Sequence, residues 1–181
     1  NVDALTSFSN YCRALGLFLS PALQEQIAAS EFLTKIAAIT NSQLFWSEGK
    51  VKLVPYGDQA ATGNGATYTP PATGIPLTDD DFLDQGSDNA PVEVTRKPIA
   101  DAWNHVRVEF RDRTADYNSD IEEAKDQANI ELYGLRSSEL LSFPEICSRA
   151  VARTVAQLIL QRALYVRNTY KFRLGWRYVL L

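Results

Sequence analysis

Leu5, Phe8, Cys12 and Leu15 recur at spacings of three and four, which places them on one face of a helix over residues 3–15. Asp3 is suited to cap its start, and Gly16 to end it in a left-handed turn. Residues 17–20 read as a short strand or extended link. A second helix is expected from about Ala28 or Ser30, with Phe32, Leu33, Ile36, Ala37 and Ile39 as its apolar stripe and Asn41 as its stop. Residues 44–55 hold two apolar runs around Ser47-Glu48-Gly49, the pattern of a β-hairpin, with Lys50 and Lys52 on a wet face and Pro55 at its end.

From Tyr56 to Gly74 the chain turns small, polar and rich in breakers, and reads as a long loop. Thr78 followed by Asp79-Asp80-Asp81 predicts a capped helical turn with its acids at the positive end of the dipole. Residues 91–96 read as a strand. So do residues 104–111, where Val106, Val108 and Phe110 alternate with His105, Arg107, Glu109 and Arg111. The spacing of Ile121, Ala124, Ala128 and Leu132 predicts a helix over residues 120–133, stopped by Gly134. Residues 140–143 are a strand candidate. The strongest helix is expected within 144–165, with Ile146, Val151, Val155, Leu158, Ile159 and Leu164 inward and Arg149, Arg153 and Arg162 outward. A strand over residues 169–174 would put Tyr170, Phe172 and Leu174 on one face.

Short strands mixed with three to four helices, without a repeating strand-helix-strand unit, make α+β the expected fold class. The chain divides on this reading into a helix-helix-hairpin lobe (1–58), a loop or linker with an acidic helical turn (59–90) and a strand-helix-strand-helix-strand lobe (91–181). The 181 residues are 45% apolar and 22% charged, enough for a core without staples. There is no Met, even at position 1, so the sequence reads as a piece of a longer chain. No apolar run reaches the roughly 20 residues of a membrane helix.

The net charge of −4 hides an asymmetry. Residues 1–95 carry 4 Lys and Arg against 11 Asp and Glu, and residues 96–181 carry 14 against 11. The basic half is interleaved with carboxylates, unlike a phosphate-binding stripe. Cys12 and Cys147 are far apart and belong to no Cys/His cluster, so they read as reduced, partly buried thiols; no cofactor or metal is expected. His105, the only histidine, reads as a surface residue on the wet side of its strand. Asp79–Asp81 and Glu122 to Asp126 are the candidate acids of a hydrolase, but neither group offers two carboxylates facing across a cleft. Helix start and a solvated helix face explain them more simply. Gly63-Asn64-Gly65 lacks the Lys-Ser or Lys-Thr of a phosphate loop. Aromatic and basic residues crowd the C-terminal end: Tyr165, Arg167, Tyr170, Arg173, Trp176, Arg177 and Tyr178. That mixture fits a subunit interface, and also a glycan- or single-stranded-DNA-binding surface, while core packing of an alternating strand would account for Tyr170 and Phe172 by itself.

Two blocks of the chain resemble one family. The first runs through residues 11–17 (YCRALGL), 32–41 and 45–58 (FWSEGKVKLVPYGD); the second through 104–113 (NHVRVEFRDR), 116–118, 124–126, 133–136 (YGLR), 152–156 and 170–172. Both are similar to phage tail proteins of the hub or tail-tip (baseplate hub-like) type, in the family's order. The resemblance implies a structural, non-enzymatic module of a phage, prophage or gene-transfer-agent tail. It implies a trimer joined to tail tube, tip or fibre proteins, made in the bacterial cytoplasm and built into the virion tail. The genome would pass through its lumen without specific binding. The alternatives are a cell-wall hydrolase module of a tail and the glycan- or DNA-binding module.

Overall fold

A computed structural model describes residues 5–22, 26, 28–47, 49–71, 74–83 and 90–178. Helix α1 (Thr6–Leu15) ends as the Gly16 pattern requires, at φ +70° with its N–H returned to the Arg13 carbonyl. Asp3, the expected cap, lies outside the described residues. The most buried residue of α1 is Tyr11, while the expected stripe is half-buried. Residues 17–20 form an extended link. Helix α2 (Ala29–Ile39) buries Ala37 and Ile39, and Asn41 follows at φ +49°. The hairpin comes next as β1 (Ser42–Ser47) and β2 (Lys50–Pro55), with Gly49 at φ +72° in its turn.

The stretch read as a long loop contains a second hairpin, β3 (Ala61–Gly63) and β4 (Ala66–Tyr68). Asn64 and Gly65 both have positive φ, +49° and +70°, which is what a two-residue turn of this hand needs. The small β3 residues let it lie against α1: a Cβ on Gly63 would stand 2.4 Å from the Ala14 carbonyl oxygen. The expected capped turn is a 3₁₀ turn over Asp79–Asp81, and its cap is a capping box between Thr78 and Asp81.

Strand β5 (Val92–Arg96) pairs antiparallel with the last strand, β9 (Asn168–Phe172). Strand β6 (His105–Asp112) is the centre of a three-stranded sheet, between antiparallel β7 (Asn118–Lys125) and parallel β8 (Ser137–Ser142). The helix expected over residues 120–133 is therefore part strand. Its apolar residues sit at helical spacing, but Asp116 and Tyr117 take positive φ and turn the chain back along β6. Only α3 (Gln127–Tyr133) is helical, capped by Asp126, whose carboxylate accepts from the Asn129 N–H at 2.8 Å.

Helix α4 (Arg149–Tyr165) crosses the sheet formed by β6 and β7. Ile146 is fully buried, but in the turn before α4 rather than on it. Val106, Val108 and Phe110 of β6 meet Val151, Ala152, Val155 and Ala156 of α4 in one cluster, which also takes in Tyr11, Leu17, Ile39 and Tyr68. Deep burial of apolar area drives this packing, each large side chain contributing about 1.5–3 kcal/mol. The observed class is α+β: among the described residues, four α-helices with small, mostly antiparallel sheets.

Candidate interaction surface

Strand alternation splits the acids of β7. Glu122 lies opposite Val108 on the α4 side, while Glu123 faces the other way, opposite Arg107. Glu122 is buried, with Arg153 Nε donating to Oε1 at 2.7 Å and Arg149 Nη1 to Oε2 at 3.2 Å. Arg149 also reaches Asp120 and stands 3.7 Å from Asp112. The expected solvated acidic face is thus an ion-paired joint between sheet and helix. Asp112 is held below the usual carboxylate range, first by the Thr114 hydroxyl (2.6 Å), then by the Thr114 N–H and the Arg149 charge.

His105 is buried rather than on the surface, because β6 is flanked on both sides. Its pair partners are Lys125 on β7 and Ser137 on β8. Its Nδ1 lies 2.9 Å from Ser137 Oγ, and its Nε2 makes no hydrogen bond, with the Glu123 carboxylate at 3.5 Å. A nucleophilic triad needs that carboxylate bonded to the ring. Glu123 is instead tied to Lys125 at 2.6 Å, which keeps its carboxyl below the usual range.

Of the acidic turn, Asp79 and Asp80 are exposed, and Asp81 is drawn into the C-terminal segment. Its carboxylate pairs with Arg177 and accepts from the Tyr178 hydroxyl, and Phe82 packs edge-on against Phe172 at 5.3 Å. The sequence kept these two segments apart; the structure brings them together. No cluster of three or more His, Cys, Asp and Glu side chains able to hold a metal ion occurs among the described residues. Both cysteines are free, and burial pushes the Cys12 thiol up to about 12, so it stays protonated near neutral pH.

The seven C-terminal candidates are spread over the end of α4, β9 and the turn that follows it. Tyr165 ends α4, Arg167 precedes β9, and Tyr170 lies on β9 opposite Val94. Register puts Val92, Val94, Tyr170 and Phe172 on one face of the β5–β9 ribbon, and Glu93, Thr95, Thr169 and Lys171 on the other. Val94 and Tyr170 are more than half exposed, and Trp176 is 88% exposed. Arg177 and Tyr178 are held by Asp81, whereas Arg167 and Arg173 make no side-chain bond to any described residue.

A second apolar surface escaped the sequence reading. In the β1–β2 hairpin, Trp46 is 71% exposed, and Phe45, Val51 and Val54 each keep about two-fifths of their surface. Trp46 and Val51 are cross-strand partners on one face, and Phe45 and Val54 lie on the other. The available signal was the unbroken run Leu44-Phe45-Trp46, where a strand with one solvated face would alternate.

A family model described as "Putative phage tail protein" matches residues 28–181. Among solved structures, the chain is similar to one chain of the "Virion of native gene transfer agent (GTA) particle", with a TM-score of 0.56 and 18% identity. The match covers 82% of this chain and 31% of that one, so the sequence spans about a third of that neighbour. At this identity the likeness is one of fold. No curated protein matches.

Proposed function

The chain belongs to the Putative phage tail protein family, and we propose that it serves there as a structural module of a tail hub or tip, without catalytic activity. The observation that carries this reading is the pair of exposed apolar ribbons, β1–β2 and β5–β9. A two-stranded ribbon is marginal alone in water; β5–β9 gathers Val94 and Tyr170 on one exposed apolar face, and β1–β2 leaves exposed apolar residues on both of its faces, the kind of surface that marks docking. Tyr, Trp and Arg at the C-terminal ribbon are the residue types enriched where protein subunits bind.

The partners on this reading are further copies, in a trimer, and neighbouring tube, tip or fibre proteins. The genome crosses the lumen without specific contacts. The chain is made in the bacterial cytoplasm and ends in the virion tail. Four of the acids nominated for hydrolysis are otherwise engaged, Glu122 with two arginines, Glu123 with Lys125, Asp126 as a helix cap and Asp81 with Arg177, while Asp79 and Asp80 are exposed and, among the described residues, face no second carboxylate across a cleft.

The test is genetic. Particles are prepared from cells in which the reading frame carrying this sequence is deleted and then restored. The reading predicts arrested or tipless tails that the restored gene repairs. Complete, DNA-delivering tails in the deletion would overturn it.

A further inference from the structure

A groove of about 630 Å³ runs between the C-terminal half of α4 and the connection from β2 to β3. That is within the roughly 300–1,000 Å³ of small-ligand sites. Tyr11, Leu15, Leu158 and Tyr165 supply apolar lining. The wall opposite α4 is set by the fold before any ligand arrives. The Tyr56 N–H donates to the Asn41 carbonyl at 2.9 Å, and the Tyr68 hydroxyl to the Gly57 carbonyl at 2.8 Å. A Cβ at position 57 would come within 2.7 Å of the Tyr11 ring and 2.9 Å of the Tyr68 ring. Glycine alone lets the connection lie so close, and a preformed wall lowers the ordering cost of binding.

The rim carries unspent hydrogen-bonding capacity. Asp58, Gln59 and Gln161 line the groove and make no side-chain hydrogen bond or ion pair with the described residues. The Arg162 guanidinium sits 4.4 Å over the Tyr56 ring and leaves its N–H donors free. Together these supply one carboxylate acceptor, two amides that both donate and accept, and one fork of donors. An apolar ligand would strip water from all four without replacing it. A phosphate would meet the Asp58 charge beside a single cation. A peptide strand would need an open ladder edge, and of the lining residues only Ala61 belongs to a strand. A sugar ring has an apolar face for an exposed tyrosine and hydroxyls that both donate and accept, so it answers every group present.

We propose that this groove binds a neutral hexopyranose unit of a glycan, with the ring against Tyr165 and its hydroxyls shared among Asp58, Gln59, Gln161 and Arg162. The groove lies within one chain, so the proposal stands or falls independently of the hub reading.

The experiment applies the chain to an array of immobilised glycans bearing hexoses, N-acetylhexosamines and uronic acids, followed by titration of the best binder. Asp58→Ala and Gln161→Ala remove exposed side chains with no internal bond, so thermal melting should stay unchanged. The expected result is retention on a subset of neutral glycans, weakened at least tenfold by either substitution and unchanged by Arg173→Ala. Three results would overturn the proposal: no neutral glycan retained, retention that survives the Asp58→Ala, Gln161→Ala double variant, or retention confined to acidic glycans and lost with Arg173→Ala.

Discussion

The side-chain amide of Asn104 donates to the side-chain Oδ1 of Asn129 at 3.0 Å, which fixes α3 to the first residue before β6. The same amide donates to the Gly134 carbonyl at 2.7 Å, and its oxygen accepts from the Arg136 N–H at 2.7 Å. Asn104 has no exposed surface. One side chain thus ties a side chain of α3, the carbonyl that ends α3 and the entry to β8. Asn104→Ala would leave the buried Asn129 amide oxygen and two part-buried backbone groups without this partner, at a cost of about 1–3 kcal/mol. Chemical denaturation should show it as a lower midpoint with unchanged slope; a loss under about 0.5 kcal/mol would mean water replaces the amide.

Glu122 tests the joint between sheet and helix. Its carboxylate is buried, but Arg149 and Arg153 are about half exposed, so losing the acid strands no cation in the core. Glu122→Ala should cost about 2 kcal/mol, below the usual range for a broken buried pair. Arg153→Ala should cost less than about 1 kcal/mol. Unfolding curves that reverse this order would contradict the assignment of Glu122 as the shared anchor.

Gly63 and Gly74 form a matched pair. Gly63→Ala drives a Cβ against the backbone of Ala14, which cannot swing away, and should cost about 1–3 kcal/mol. Gly74→Ala has nothing within 4 Å and should be neutral or slightly stabilising in a thermal melt.

Asp112 gives a pH signature. Its carboxyl is depressed in the fold, first by the Thr114 hydroxyl. The stabilisation is therefore complete above the unfolded carboxyl value of about 3.9 and is lost as pH falls through the lower folded value. Thr114→Ala should flatten the acid limb of a stability–pH curve and leave the neutral limb parallel to the parent. An unchanged acid limb would place the effect elsewhere.

What could be read from the sequence was local. Gly16, Asn41, Gly49 and Gly134 each stop or turn an element where expected, because positive φ is a property of a single residue. The Val106-Val108-Phe110 alternation identified β6 because one face is wholly buried. The errors are nonlocal. Ile121 and Ala124 share a helical spacing with Ala128, and only pairing with β6 makes the first two strand residues. His105 looked exposed until β8 arrived from 32 residues away to cover it. The Asn64-Gly65 turn was legible in principle, but its flanking strands are three residues each and almost without large apolar residues. The groove draws on residues from 11 to 166, and the clasp of Asp81 with Arg177 spans 96 positions, so neither leaves a motif in the chain.

The central claim is that this module works inside a tail assembly built from several copies. The direct measurement is the mass, by light scattering after size exclusion, of the longest chain that carries this sequence, alone and with Trp46→Ser and Tyr170→Ser. The account predicts a trimer whose association weakens when these exposed aromatics are replaced, while the fold is kept. A strictly monomeric parent at every accessible concentration would contradict it.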